Sequence, residues 1–344
     1  MKRVAIITEN FLHPWSPNEL EEFLGGSQEC VVLLAEALSR IGHNIKVFMI
    51  GPTECKEEKR KGILYKDFSK FSLDDVYDTI IMFKVNPLPN DSRLKDVNLI
   101  FWSSDVETRP ENRYINTLVC LTDYHKNRCG WDDAVVIPHG IDILSLQQNR
   151  VPKMRNTMLY CSSLDRGLNT LIENWKKIKE KHPDLRLYIT YGYKIAKQIC
   201  SGLGELLMEK EEEDLKKVCN DLDIKYFGAI GKDDLEQLYW MCEYWCLPLT
   251  NADSELFCFN AIKSQICLCT PVIYREGALT ETVGPYIDFD DFVNGQTYAQ
   301  EPENGPYACS HLRNNEGRDY REHPRMVPVY TWDEVVRNYW SKII

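Results

Sequence analysis

The feature that most constrains the fold is a repeated alternation of short, continuous apolar runs with amphipathic helical segments. In the first half, the apolar runs that predict buried strands are residues 3–8, 45–50, 79–83, 98–102, 117–121 and 134–137. Between the first two runs, Ser27 is predicted to cap a helix that continues to Ile41. Continuous apolar strands that alternate with helices are typical of a parallel sheet covered on both faces.

The same pattern restarts after a polar stretch at 142–156, which is predicted to be the domain linker. Predicted strands follow at 157–161, 185–190, 225–227, 244–247 and 271–274, and predicted helices at 167–181, 205–222, 233–241 and 259–267. We therefore predict an α/β fold of two Rossmann-like, doubly wound parallel-sheet domains, at 1–148 and 149–327. Residues 328–344 are predicted to form a C-terminal helix, a candidate to pack back on the N-terminal domain. Ligands bind beyond the carboxyl ends of such strands, so we expect the active site in an inter-domain cleft.

Charge and composition narrow the function classes. The chain has 41 Lys and Arg against 52 Asp and Glu, a net charge of −11, which argues against a protein built to hold duplex nucleic acid. Its 13 cysteines include no C-x-x-C pair, which indicates buried, reduced thiols. No apolar run approaches the ~18 residues of a membrane span, and we expect no signal peptide. These observations favour a soluble, cytoplasmic protein.

Two loops carry groups suited to a phosphate-bearing ligand. Gly25 and Gly26 precede a helix, where the backbone approaches a ligand closely and the helix start offers free N–H groups to a diphosphate or an acceptor hydroxyl. In the second half, Arg166 follows a strand within the run Ser162–Leu168. Its guanidinium is suited to hold phosphate oxygens.

Two further loops in the second half add a carboxylate and helix starts. Glu255 lies just before the helix predicted at 259–267, and a carboxylate there accepts hydrogen bonds from sugar hydroxyls. Residues 276–283 open a short helix whose N–H groups we expect to face the ligand.

In this order the motifs resemble the retaining GT-B glycosyltransferases of family four, and the resemblance spans residues 3 to about 283. The matching segments are Gly25–Gln28, Ile137–Asp142 with His139 in place of Asn, Ser162–Leu168, and Glu255, Phe257, Cys258, Ala261 and Gln265. The third and fourth segments are similar to those of a bacterial and viral subgroup of this family. If the protein is viral, its implied location is the host cytoplasm.

The resemblance implies a hexosyl- or pentosyltransferase that moves a sugar from a nucleoside diphosphate sugar to a hydroxyl, with retention. It makes Glu255, Arg166 and Asp105 the candidate catalytic residues. The implied donor-binding residues are Gly25, Gly26, Ser163, Arg166, Tyr191, Phe257, Cys258, Lys263, Ala278 and Leu279. Glu255 would bind sugar hydroxyls, and Arg166 with helix-start amides would stabilise the leaving diphosphate. No metal and no separate cofactor are implied. The favoured acceptor is a glycan, ahead of a protein or a small molecule. It would bind to the first-domain loops 13–23 and 83–90.

Three positions depart from the family pattern. Lys263 stands where a second Glu binds the nucleotide ribose, and a lysine cannot accept hydrogen bonds from ribose hydroxyls. Ser104 stands where a histidine lies near the donor sugar, and Leu268 replaces a glycine. These departures predict altered donor choice or lost activity.

Other functions remain open at this level. The departures favour a catalytically degenerate binding protein as the first alternative. A second is transfer to modified bases of viral DNA, for which the arginines at 313, 318, 321 and 325 form a basic stretch. A different GT-B chemistry, such as an epimerase or a phosphorylase, ranks below both.

Overall fold

A computed structural model describes residues 1–9, 15–22, 24–51, 54–199, 203–300 and 328–344. The chain divides into two compact units, which are described separately. The first unit comprises Met1–Ile141 and Tyr330–Ile344, and the second comprises Asp142–Val329. Within the described residues, no helix combines the length and the apolar character needed to cross a membrane.

The first unit is built on an eight-stranded sheet with the order β3-β4-β2-β1-β5-β6-β7-β8. Its strands are β1 Arg3–Glu9, β2 Asn44–Ile50, β3 Glu58–Arg60, β4 Ile63–Asp67, β5 Thr79–Phe83, β6 Asn98–Trp102, β7 Ile115–Cys120 and β8 Val135–Val136. All neighbours are parallel except the antiparallel edge pair of β3 and β4. The central strands β1 and β5 are buried almost throughout, as their continuous apolar sequence requires.

Two helices connect strands of the first unit. Helix α1, Gly26–Arg40, has a buried apolar face, and helix α2, Asp123–Cys129, follows β7. Thr122 caps α2 by accepting a hydrogen bond from the His125 amide, and Gly130 ends it in the left-handed conformation.

The second unit is built on a six-stranded parallel sheet with the order β11-β10-β9-β12-β13-β14. Its strands are β9 Met154–Tyr160, β10 Arg186–Thr190, β11 Lys225–Gly228, β12 Cys242–Leu247, β13 Thr270–Ile273 and β14 Ile287–Asp288. Its helices are α3 Ile143–Gln148, α4 Leu168–Lys181, α5 Lys194–Ile199, α6 Leu203–Asp221, α7 Lys232–Met241, α8 Phe259–Ile266, α9 Leu279–Thr282 and α10 Phe289–Val293. Strands β9 and β12 lie at the centre of the sheet, so the loops after them are neighbours.

The C-terminal segment belongs to the first unit. It consists of helix α11, Trp332–Val335, a π-helical turn, Val336–Trp340, and helix α12, Ser341–Ile343. The Trp340 ring lies 5.3 Å from that of Trp102 on β6, measured between ring centroids. The Ile141 amide donates to the Tyr330 carbonyl at 2.8 Å. The Ile137–Asp142 motif therefore serves in part as the attachment point of this segment.

The predicted fold class is confirmed in its two parallel-sheet α/β domains. Two local predictions are wrong. The helix predicted to be capped by Ser27 begins at Gly26, with Gly25 at the N-cap and no side-chain cap. The stretch 142–156, predicted as linker, contains helix α3 and the start of β9. Asp142 accounts for this difference because its side chain caps α3, accepting a hydrogen bond from the Ser145 amide.

The attachment of the C-terminal segment gives a stability prediction at Gly140. A Cβ at this position would lie 2.5 Å from the Trp332 backbone, which cannot move without displacing α11. We expect Gly140→Ala to lower the free energy of unfolding by roughly 2 kcal/mol and to speed hydrogen exchange in residues 330–344. Gly62→Ala is the control, because Gly62 has a φ of +86° but no atom within 4 Å. It should lose stability without faster exchange in that segment. Equal hydrogen-exchange rates of residues 330–344 in both variants would contradict the attachment of the C-terminal segment at Gly140.

Candidate functional site

The predicted ligand-binding residues of the second unit follow the carboxyl ends of its strands. Arg166 follows β9, Tyr191 follows β10, Glu255 follows β12 and Ala278 follows β13. Because these strands are parallel, their carboxyl ends meet at one edge of the sheet. That edge is where open α/β sheets bind ligands.

An ion pair between Arg166 and Glu255 lies at this edge. The Arg166 Nη1 donates to the Glu255 Oε2 at 2.8 Å. The Glu255 side chain is 9% exposed, whereas the Arg166 side chain is 33% exposed. The carboxylate is therefore enclosed by protein, and part of the guanidinium remains open to solvent.

Burial and hydrogen bonding compete at Glu255. Burial raises the pKa of its carboxyl, and the Arg166 charge, the Cys258 thiol and the Phe257 amide offset this only in part. At Arg166, burial acts to lower the pKa, but the Glu255 carboxylate outweighs it and the pKa is raised. The guanidinium therefore stays charged throughout the neutral range.

The Arg166 loop is held by contacts within the second unit. The Tyr160 hydroxyl donates to the carbonyl oxygens of Ser163 at 2.7 Å and Arg166 at 3.1 Å. Gly167 has a φ of +86°, and any Cβ there would overlap the Pro248 carbonyl in the loop after β12. A glycine is thus required for the close approach of these two loops.

Tyr191 lies close to Arg166 in a strained backbone conformation. Its φ is +92°, and the next residue, Gly192, has a φ of +62°. A positive φ costs a non-glycine residue about 1–3 kcal/mol, and such strain is concentrated at ligand sites. Burial raises the pKa of Tyr191, and the positive charge of Arg166 opposes the rise. The tyrosine that the sequence proposed for the donor site thus lies beside the predicted phosphate-binding arginine.

The predicted helix-start amides are engaged within the protein. The Phe257 amide donates to the Glu255 carboxylate, and the Cys258 thiol is buried against the same group. At α9, Ala278 and Leu279 are buried, and the Leu279 amide donates to the Glu276 carbonyl at 3.1 Å. In this arrangement Arg166 is a better placed phosphate ligand than either of these backbone groups.

Lys263, on α8, lies among acidic side chains rather than at an open surface. It is buried, and its Nζ lies 5.9 Å from the centre of the Phe259 ring. Its charge acts to lower the pKa of both Asp142 and Glu236. Lys263 thus acts electrostatically on two carboxylates that Lys232 also contacts, at 3.1 Å for Asp142 and 4.0 Å for Glu236.

Leu268 occupies the end of α8. Its φ is +62°, the Leu268 amide donates to Gln265 and the Cys269 amide donates to Ser264. This is the Schellman pattern, in which the left-handed position favours glycine. The departure at Leu268 therefore falls on a helix cap, and its side chain is 41% exposed.

A second charged cluster lies at the carboxyl ends of strands in the first unit. The Lys84 Nζ lies 3.0 Å from the Glu9 carboxylate and 3.0 Å from the Asp105 carboxylate. Burial acts to lower the pKa of Lys84, but the two carboxylates outweigh it and raise the pKa. Lys84 also has a φ of +63°. Sequence reasoning proposed Asp105 and missed Glu9 and Lys84, although each directly ends or follows an apolar strand.

The other predicted residues of the first unit lie near its strand ends or at a helix start. Gly25 is the N-cap of α1, whose first N–H groups have no partner within the helix. The Ser104 hydroxyl is buried after β6 without a hydrogen-bond partner in the described part of the chain. His125, which was not predicted from the sequence, donates from Nε2 to the Asp105 carbonyl at 2.9 Å.

Some sequence predictions fall outside the described residues. The loop 13–23 is described only at 15–22, and the arginines at 313, 318, 321 and 325 lie outside the described residues altogether.

Comparisons with known proteins identify the fold. No protein-family model matches the chain, and no curated protein matches it in sequence. Among solved structures, it is similar to a glycosyltransferase involved in avilamycin A biosynthesis, with 15% identity, a TM-score of 0.60, and coverage of 100% of this chain and 97% of that one. It is also similar to sucrose-phosphate synthase from Thermosynechococcus elongatus, with 13% identity, a TM-score of 0.57, and coverage of 86% and 88%.

A third similar structure contains a nucleotide. It is Anabaena HepE in complex with UDP, with 14% identity, a TM-score of 0.54, and coverage of 86% of this chain and 88% of that one. The chain shares with these proteins the fold of two parallel-sheet α/β domains.

The raised pKa of Glu255 predicts a pH dependence of stability. As the pH falls from 7 towards the ordinary value of 4.5, the folded protein binds a proton at Glu255 that the unfolded chain does not yet bind. The free energy of unfolding of the parent should therefore rise relative to that of Glu255→Gln as the pH falls. This gain in stability is complete below pH 4.5. Urea unfolding at several pH values measures this difference. Glu173→Gln, at an exposed position of α4, is the matched control. If the difference in free energy of unfolding between the parent and Glu255→Gln stays constant with pH, burial does not raise the pKa of Glu255.

Proposed function

We propose that this protein is a retaining glycosyltransferase that moves a sugar from a nucleoside diphosphate sugar to a hydroxyl acceptor. The observation that carries the proposal is the part-buried Arg166–Glu255 pair at the carboxyl edge of the sheet in the second unit. The fold shared with solved glycosyltransferases supports it, and UDP in one similar structure favours a UDP-sugar donor. The family resemblance supports three further parts of this proposal: retention of the anomeric configuration, a glycan acceptor and a reaction that needs no metal. A cytoplasmic location is part of the same proposal.

Arg166 is proposed to stabilise the leaving diphosphate. Its Nη1 is bound by Glu255, and the exposed third of its side chain leaves guanidinium surface for phosphate oxygens. The guanidinium is fixed before the donor arrives, because the Tyr160 hydroxyl and the Gly167–Pro248 approach hold its loop. A preorganised cation of this kind stabilises the negative charge that develops as the glycosidic bond breaks.

Glu255 is proposed to orient Arg166 and to meet the donor sugar. Its Oε2 accepts from Arg166, which leaves further acceptor capacity for a sugar hydroxyl. The carboxylate also stabilises positive charge on the sugar ring in the transition state. We do not assign it as a covalent nucleophile, since Arg166, Cys258 and Phe257 already bind it.

Asp105 is proposed to bind the acceptor hydroxyl in the first unit. Its side chain is 59% exposed, while Lys84 bonds one of its oxygens at 3.0 Å. Lys84 is itself fixed by Glu9, so the Asp105 carboxylate is oriented before an acceptor binds. A carboxylate held in this way accepts a hydrogen bond from an incoming hydroxyl.

Substitutions at the ion pair test the activity. With a UDP-sugar that the parent turns over, Arg166→Ala should lower kcat by about 10²–10³-fold, because a preorganised donor to the diphosphate is lost. Glu255→Gln should lower kcat/KM, because the charge facing the sugar ring is removed. Release of UDP and of the glycosylated product are both measured. Arg186→Ala, at the exposed amino end of β10, and Glu173→Gln should retain parental rates. Parental rates in both Arg166→Ala and Glu255→Gln would overturn the site.

A donor-binding screen tests the consequence of Lys263. We expect one class among UDP-, GDP-, ADP-, CDP- and dTDP-sugars to raise the Tm of the parent, since a ligand at about 100 times its Kd adds ~2.7 kcal/mol of stability. Lys263→Gln should keep the same donor preference, because Lys263 is buried and its charge acts on the carboxylates of Asp142 and Glu236. Lys263→Glu is the contrasting variant. If no donor shifts the parent and Lys263→Glu gains a shift, the protein is a degenerate member of the fold that works by binding.

A further inference from the structure

A cluster of two thiols and an imidazole lies behind the Asp105 loop of the first unit. Cys120, His125 and Cys129 each place a ligand atom within 4.8 Å of the other two. The glycosyltransferase proposal does not use these three residues. They are unlike an isolated buried cysteine, because three side chains with metal-binding atoms converge on one point.

Local secondary structure produces this convergence. Cys120 is the last residue of β7, and His125 and Cys129 lie four residues apart on α2, so they share one face of that helix. The Thr122 cap fixes the start of α2, and the left-handed Gly130 fixes its end directly after Cys129. The three side chains are therefore positioned by the strand end and both helix ends.

The spacing fits a tetrahedral thiolate–imidazole site. With Zn–S bonds of about 2.3 Å, the ligand atoms of a tetrahedron lie ~3.7 Å apart. The observed separations, all within 4.8 Å, need only small side-chain movements to reach that value. Cys and His ligands together select Zn²⁺ among the common divalent ions.

The environment of His125 also suits a metal ligand. Its Nε2 lies 2.9 Å from the Asp105 carbonyl, which makes Nε2 the protonated nitrogen and leaves a lone pair on Nδ1. Metal-binding histidines commonly donate their second nitrogen to a carbonyl in this way. The Leu121 amide donates to Nδ1 at 3.2 Å, and the metal would have to displace this hydrogen bond.

Three protein ligands leave the fourth position of a tetrahedral ion to water. Cys120, His125 and Cys129 supply these three ligands. The Glu107 carboxylate, in the loop that carries Asp105, instead accepts a hydrogen bond from the Ser103 hydroxyl at 2.5 Å.

We propose that Cys120, His125 and Cys129 bind one Zn²⁺ ion, with water as the fourth ligand. On binding, each thiol loses its proton to solvent and forms one Zn–S bond, and the neutral imidazole donates through Nδ1. The ion joins the end of β7 to α2. The His125 Nε2–H bond to the Asp105 carbonyl connects α2 to the loop that carries Asp105.

Metal binding by the full-length protein tests this site directly. Protein purified without chelator and then dialysed should contain one Zn²⁺ per chain. Protein stripped of metal and given Co²⁺ should show the thiolate-to-cobalt charge-transfer absorption of a two-sulfur site. Addition of Zn²⁺ should raise the Tm of the stripped protein.

Variants separate the site from adventitious binding. Cys129→Ser should weaken Zn²⁺ binding at least tenfold and reduce the charge-transfer band. Cys55→Ser, at a half-buried cysteine outside the cluster, should bind like the parent. Absence of Zn²⁺ and of a Co²⁺ band in the folded parent would overturn the proposal. So would equal affinity in Cys129→Ser and Cys55→Ser, or a Cys120–Cys129 disulfide in place of metal binding.

Discussion

The Arg166–Glu255 ion pair is the interaction on which the proposed donor-binding edge of the second unit depends. A buried carboxylate is costly unless a partner and hydrogen bonds compensate it, and here Arg166, the Cys258 thiol and the Phe257 amide do so in part. The pair joins the loops after the two central strands, β9 and β12. Removing either partner would leave a charge without its counterion at the point where these loops approach most closely.

The first unit repeats this arrangement with different residues. Lys84 lies between Glu9 and Asp105 at the ends of β5, β1 and β6. In both units, parallel strands bring together charged residues that are far apart in the chain, and the opposite charges fix one another's orientation. In the proposed sugar transfer, side chains that are oriented before binding lower the barrier, because ordering them during the reaction would add to it.

The parts of the fold that the sequence predicted are those with strong apolar patterns. The strand predicted at 79–83 matches β5, and that at 98–102 matches β6. Strands β3 and β4 were not predicted. Strand β3, Glu58–Arg60, is wholly polar and forms an antiparallel edge. Edge strands commonly carry charges that prevent further pairing, so they lack the continuous apolar signal of a central strand. The short α10 was missed for a related reason, since five residues are too few to show a helical period.

By itself the sequence determined the fold class and the residue types at the strand ends, because both follow from local pattern. Tertiary structure alone decided how those residues are used. It paired Arg166 with Glu255, 89 residues away, placed Lys263 near Asp142 and Glu236, and made Leu268 a left-handed helix cap. The physical reason is that an apolar run by itself indicates that it is buried. The role of a charged side chain depends on its partners, and strand order and loop contacts bring those partners from distant parts of the chain.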